Sequence, residues 1–253
     1  NVSVKLTDAF MQAAIDGKPF VQQYPIDADE PLFKKEISAT DLWKKIVHNA
    51  WKSAEPGVLF WDTILRESVP DCYADLGYRT VSTNPCGEIP LCPYDSCRLL
   101  AINLYSYVVN PFKPDAYFDF DLFKKHVALA QRIMDDIIDL ELEKIERIMA
   151  KIDSDPENED VKHTESVLWQ KIYKKSGQGR RTGVGITAEG DMLAALGLRY
   201  GTEEATEFAE KVHQTVALSA YRSSVEMAKE RGAFEVYDSE REKNNPFINR
   251  LRE

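Results

Sequence analysis

The first regular pattern along the chain is an alternation: Val2 and Val4 are separated by polar neighbours, the period of a half-buried strand. Thr7 and Asp8 then precede an apolar run at helical spacing through Phe10, Met11, Ala14 and Ile15. A second helix is predicted from about Ser38-Ala39-Thr40, with Leu42, Ile46, Val47 and Ala50 on one face. Glu55-Pro56-Gly57 ends it, and Val58-Leu59-Phe60-Trp61 follows as a short buried strand. Asp119 or Asp121 caps a long helix whose stripe runs through Leu122, His126, Leu129, Ile133, Ile137, Glu141 and Ile145. Phe123, Val127, Ala130, Met134, Ile138 and Leu142 reinforce that stripe. His126 reads as a helix-face residue at the core boundary, not a metal ligand. Residues 153–162 read as an acidic, solvated loop broken by proline. A Gly-rich turn and strand over 177–190 leads to a helix over 191–196, and a last amphipathic helix spans about 202–231. Short strands alternating with helices point to an α/β fold.

One stretch breaks these periods. Residues 71–93 hold Gly77, Pro85, Gly87, Pro90 and Pro93 with polar residues between, so regular structure throughout is excluded. A long irregular segment inside a compact domain is usually functional. This one carries three of the four cysteines. The apolar run that follows, 97–109, reads as a strand or the start of a helix.

Composition narrows the classes. A hydrophobic fraction of 43% and a charged fraction of 29% are those of a globular protein, and no apolar run is long enough to span a bilayer. The net charge of -10 disfavours nucleic acid as a partner, because such binding uses basic surface to displace counterions from phosphate. The chain opens on Asn1-Val2-Ser3-Val4, with neither Met nor a secretory signal, and is read as starting inside a longer protein. Cys72, Cys86, Cys92 and Cys97 all lie within 26 residues, which fits a reducing cytoplasm better than a secreted disulfide scaffold. Their spacing lacks the C-x2-C knuckles of structural zinc sites and no His falls among them, so no metal site is expected.

Two other stretches invite functional readings and have ordinary ones. Residues 183–190 are glycine-rich but not G-x-G-x-x-G, and glycines that let a strand pass close to a helix explain them better than a dinucleotide site. Arg180-Arg181 has the charge to bind phosphate, but reads as a solvated basic pair at a strand start.

Asn84-Pro85-Cys86-Gly87-Glu88 carries the chemistry. Cys86 lies two residues from an amide and two from a carboxylate, and on an extended loop of period 2 all three side chains would point the same way. A nucleophilic thiolate needs a cationic or His neighbour, whereas Glu88 disfavours the thiolate. A neutral thiol beside a carboxylate suits hydrogen-atom chemistry. His48, His126, His163 and His213 all lie outside any catalytic-looking context, which argues against a cysteine hydrolase.

The pattern Asn-x-Cys-x-Glu, here followed by Pro93-Tyr94-Asp95-Ser96-Cys97 and then Ala101-Ile102-Asn103-Leu104, resembles the large subunits of ribonucleotide reductases. The Asn-Pro-Cys-Gly-Glu form, with the second cysteine eleven residues on, is most similar to the adenosylcobalamin-dependent class. Asn1-Val2-Ser3-Val4 with Thr7-Asp8 and Phe10-Met11 agrees, as do Arg181-Thr182-Gly183-Val184-Gly185-Ile186 and Asp191-Met192-Leu193. The chain departs from many relatives at Arg98-Leu99-Leu100, where they read Asn-Leu-Gly. It departs again at Ala188-Glu189-Gly190-Asp191, where Gly-Leu-Ala-Asp is common, and in its longer acidic insert.

The resemblance implies an α/β barrel of ten strands, of the ribonucleotide reductase and glycyl-radical-enzyme type, with residues 1–253 part of it and 71–97 its finger loop. It implies that Cys86 bears a thiyl radical and abstracts the 3′ hydrogen of a ribonucleotide, Glu88 is general base to the 3′-hydroxyl, and Asn84 holds that oxygen. Cys97 is half of a redox-active disulfide whose partner lies upstream of Asn1. Cys72 and Cys92 fit no role by position and read as buried or incidental thiols. Adenosylcobalamin is the implied cofactor. Nucleoside triphosphate effectors, acting through absent segments, and a thioredoxin-like or other dithiol reductant are the implied partners, and a homodimer is an assembly open to it. Two alternatives stand beside this reading: the large subunit of a two-subunit metal or tyrosyl-radical enzyme, and a non-catalytic regulatory paralogue. The paralogue would have lost Asn84, Cys86 or Glu88, and all three are present.

Overall fold

The computed structural model describes residues 2–26, 28–96 and 98–252. The chain divides into two compact units, Asn1–Pro93 with Asp238–Glu253, and Tyr94–Tyr237.

The first unit begins with β1 (Ser3–Leu6), α1 (Asp8–Asp16), β2 (Pro19–Tyr24), β3 (Phe33–Ser38), α2 (Ala39–Ser53), β4 (Gly57–Phe60) and α3 (Trp61–Glu67). Both predicted helices form where their caps are: Thr7 Oγ1 accepts from the Phe10 amide at 3.2 Å, and Ser38 Oγ from the Asp41 amide at 3.2 Å. β1 and β4 pair in parallel, Ser3 opposite Gly57 and Leu6 opposite Phe60. A Cβ on Gly57 would lie 2.7 Å from Ser3 Oγ, so glycine permits this approach. Leu6, Phe10, Ala39 and Ile46 form the unit's core, while Val47, expected on the same face of α2, is exposed. The antiparallel hairpin of β2 and β3 has no counterpart in the predicted elements.

A 3-10 helix (Val69–Leu76) and a small hairpin of β5 (Ser82–Thr83) and β6 (Pro90–Leu91) occupy the stretch read as irregular. The unit is completed by a return segment, Asp238 onward, which carries two short helices. Arg241 meets the Asp75 carboxylate at 2.6 and 3.0 Å, and Arg250 meets Glu67 at 2.6 Å. The buried Tyr73 hydroxyl donates to Glu242 at 2.5 Å. Burial, and then the Glu242 carboxylate, push that phenol well above the usual tyrosine range.

The second unit runs β7 (Leu99–Asn103), β8 (Val108–Val109), β9 (Tyr117–Phe118), α4 (Phe120–Ser154), α5 (Glu159–Gly179), β10 (Gly183–Thr187), α6 (Glu189–Ala195) and α7 (Glu203–Arg231). β7 and β10 are parallel, joined by the crossover of α4 and α5. Partners descend α4 as they ascend α5, Glu146 with Tyr173 and then Asp139 and Asp135 with Arg180, so the two helices are antiparallel. Leu104, Phe123, Val127, Ala130, Met192, Leu193 and Val212 form the core.

Four expectations are corrected here. The buried row of α4 is Phe123, Val127, Ala130, Met134, Ile138, Ile145 and Ile152, whereas Leu122, Leu129, Ile133 and Ile137 are exposed. Two rows one residue apart satisfy the same 3.6 period, and packing against α7, α5 and the two strands selects between them. The acidic loop shrinks to the four residues between helices, because Asn158 caps α5 and Glu159 and Asp160 lie in its first turn, where the helix dipole favours them. The close approach that requires Gly183 is to the neighbouring strand, not a helix: a Cβ there would lie 2.7 Å from the Arg98 carbonyl oxygen. Finally, Arg180 and Arg181 are half-buried and paired, not a free solvated pair: Arg180 with Asp135 and Asp139 at 2.8 Å each and Arg181 with Asp95.

Candidate functional site at the finger hairpin

The segment carrying Cys86 is a hairpin whose tip is a tight turn. Val81 N–H donates to the Leu91 carbonyl at 2.9 Å, and Asn84 N–H to that of Ile89 at 3.2 Å. The Gly87 amide then closes on the Asn84 carbonyl at 3.1 Å, with neither Pro85 nor Cys86 in the left-handed region and Gly87 at φ 85°. This is a type I turn with Asn first, Pro second and Gly fourth, the residues that geometry prefers. That signature stood in the sequence and identifies the turn.

The turn overturns the extended loop. The three side chains do not share one side by strand periodicity: Asn84 is buried, while Cys86 and Glu88 are exposed. Asn84 Oδ1 accepts from the Ile89 amide at 2.9 Å. That bond fixes the side-chain amide. Gly87 also lies against β4, where a Cβ would sit 3.1 Å from Leu59 Cδ2.

Cys97 lies outside the described residues. Its neighbours are held by charge. Asp95, its side chain 4% exposed, pairs with Arg181. Arg98, 5% exposed, pairs with Glu141, donates to Ser176 Oγ at 2.6 Å and to the Arg181 carbonyl at 3.1 Å. Arg98 is thus a buried anchor joining the start of β7 to α4 and α5. Nothing in the sequence marked Glu141 or Ser176 as its partners.

Cys92 is buried and Cys72 half-buried, as expected of incidental thiols, and burial pushes the Cys72 thiol up. The His126 ring bonds the Tyr107 hydroxyl at 3.0 Å, an ordinary packing role. Among the described residues no cluster of three or more His, Cys, Asp or Glu is placed to hold a metal, and no helix is long and apolar enough to cross a membrane.

Comparison with known proteins agrees with this geometry. Residues 1–249 match the family described as ribonucleotide reductase, barrel domain. The chain is 34% identical over 244 residues to the vitamin B12-dependent ribonucleoside-diphosphate reductase of Thermoplasma acidophilum, covering 96% of this chain and 27% of that protein. It is 30% identical over 242 residues to the enzyme of the same name from Mycobacterium tuberculosis (strain CDC 1551 / Oshkosh), covering 95% of this chain and 30% of that one. The chain therefore spans under a third of the length of these relatives. In fold it is similar to the Actinobacillus ureae class Id ribonucleotide reductase alpha subunit, with a TM-score of 0.64 at 17% identity, covering 92% of this chain and 36% of that one. With two parallel strand pairs, each bridged by helices, and a turn that presents Cys86, the chain belongs to the ribonucleotide reductase barrel-domain family.

Proposed function

We propose that residues 1–253 are part of the catalytic barrel of a longer, adenosylcobalamin-dependent ribonucleoside-diphosphate reductase, with the finger hairpin as its reacting element. One observation carries the reading: the turn exposes Cys86 at its tip while Asn84, beside it, is oriented by its own bond to Ile89.

Each residue has a definite task. Cys86 loses its thiol hydrogen, takes the 3′ hydrogen of the ribose onto sulfur and returns it at the end. Glu88 accepts the 3′-hydroxyl proton, and exposure leaves it free to meet a substrate. Asn84 donates from Nδ2 to the 3′ oxygen as that oxygen becomes a ketone, the role a fixed amide donor suits. The 2′-hydroxyl leaves as water, and the two electrons come from a dithiol of Cys97 and an upstream cysteine, which becomes a disulfide. A dithiol protein partner then restores it.

An exposed thiol at a hairpin tip fits an external hydrogen-atom acceptor. Adenosylcobalamin, when bound, supplies that acceptor as its deoxyadenosyl group. Cys86 is the residue of this chain that would meet it, and the cobalt comes with the cofactor, so no protein metal cluster is required. The proposed setting is the cytoplasm, with effector nucleotides acting through other segments and a homodimer as the assembly.

The test uses the intact protein, anaerobic, with adenosylcobalamin, a dithiol and no second protein. Deoxynucleotide should form, and Cys86→Ser should abolish it while substrate still binds, because an O–H bond is too strong to exchange hydrogen with a ribose C–H. Turnover by the serine variant would remove Cys86 from its role. A requirement for an iron- or manganese-loaded partner would replace the cofactor with a second subunit.

A further inference from the structure

The finger hairpin rests on two neighbouring side chains of one sheet face. Lys5 and Leu59 are opposite each other in the parallel register of β1 and β4. Opposed residues of paired strands project to the same side. Lys5 Nζ donates to the Val81 carbonyl at 2.5 Å. Val81 is the residue whose N–H closes the hairpin on Leu91, so this bond fixes the hairpin's root. Leu59 reaches the other end, with Cδ2 3.1 Å from the place a Cβ would take on Gly87.

The lysine is itself held. Its Nζ lies 3.8 Å from the centroid of the Trp61 ring, a cation–π geometry that restricts where the ammonium sits. Although the residue is exposed overall, partial burial of the ammonium pushes its pKa below the ordinary lysine range. A flexible, solvated lysine would show neither feature.

We propose that Lys5 is a positioning residue of the reductase: with Leu59 it clamps root and tip of the finger hairpin to β1 and β4 and so sets the place of Cys86. The inference rests on the reading of Cys86 given above. Hydrogen-atom transfer requires near-contact geometry, and a misplacement of about 1 Å costs roughly a hundredfold in rate. Loosening one of two clamps should cost less.

Lys5→Met keeps the stem and removes the donor. In the intact enzyme we expect kcat to fall roughly tenfold with KM nearly unchanged, and Lys5→Arg, which keeps a cation over Trp61, to recover most of the loss. Hydrogen exchange without substrate gives an independent reading: the Gly87 and Ile89 amides should exchange faster in Lys5→Met while those of β1 keep their protection. Leu59→Val, which shortens the contact at the tip, should show the same pattern more weakly. Unchanged kcat and unchanged exchange in Lys5→Met would overturn the proposal, as would a loss confined to KM or an arginine variant no better than methionine. Cys86→Ser separates the two ideas. If the serine variant is dead and Lys5→Met is normal, only the clamp fails. If the serine variant turns over, the reading of Cys86 fails, and hydrogen exchange still decides whether Lys5 anchors the hairpin.

Discussion

The hairpin tip, which carries Cys86, and the start of β7 are fixed by opposite means. At the tip the fixing groups are backbone amides a few residues apart, Gly87 to Asn84 and Asn84 to Ile89, with one glycine supplying the left-handed residue. Around β7 they are buried side-chain charges from distant parts of the chain, Asp95 with Arg181 and Arg98 with Glu141. A tip tied by its own backbone leaves Cys86 and Glu88 exposed and available. A strand tied by its side chains commits those side chains to anchoring, and gains rigidity from helices α4 and α5.

The largest expected effect tests the charged anchor. Arg98→Met should destabilise the intact protein by about 3 kcal/mol, the low end for losing one member of a buried pair, since Glu141 keeps some access to water. Thermal unfolding measures it. Adding Glu141→Leu should recover part of the loss, and a single variant as stable as the parent would show that β7 is held by packing instead.

Gly183→Ala should cost about 2 kcal/mol, within the range for overpacking, because its Cβ would meet a backbone oxygen that cannot rotate away. Denaturant unfolding reads it, and the damage should localise to β7 and β10 by hydrogen exchange.

At the hairpin, Gly87→Ala should cost only about 1 to 2 kcal/mol, the price of an L-residue in the left-handed region. Its effect on turnover should exceed its effect on stability, the reverse of Gly183→Ala. Equal ratios of lost activity to lost stability at both glycines would erase the distinction between the two regions.

Acid should produce the smallest change. Arg250 beside Glu67 and Arg241 beside Asp75 hold both carboxyls below their ordinary values of 4.5 and 3.8. Such groups contribute stability that is complete above those values and lost as the pH falls through the lowered folded ones. Amides of residues 239–250 should therefore lose protection in strong acid. The turn at Asn84–Gly87, closed by backbone groups that do not titrate, should keep its protection over the same range.

Much of the first unit was legible because its signals are local. Thr7 and Ser38 announce their helices, Pro56-Gly57 ends one, and Asn84-Pro85 with Gly87 encodes a turn. The candidate trio stands out in the sequence as a spacing, but its geometry does not: the extended loop of period 2 expected through Asn84, Cys86 and Glu88 is instead a closed turn with Pro85 second and Gly87 fourth. α4 was legible as a helix but not in its buried face, since Leu122 and Phe123 begin equally good apolar rows. α5 was hidden because acidic residues that complement a helix N-terminus look like a solvated linker. Arg98–Glu141 and Lys5–Val81 join residues far apart in sequence, and no local pattern announces them.

The return segment has a consequence for the order in which the molecule is made. The stretch from Glu67 to Asp75, which leads into the finger hairpin, is braced by Arg241, Glu242 and Arg250, and the whole of Tyr94–Tyr237 is synthesised in between. On the ribosome the brace on this stretch is therefore incomplete until the second unit has emerged. Domains fold largely as they appear. The second unit can thus mature before residues 238–252 brace the first, so that brace on the stretch leading into the hairpin forms after Tyr94–Tyr237 has emerged.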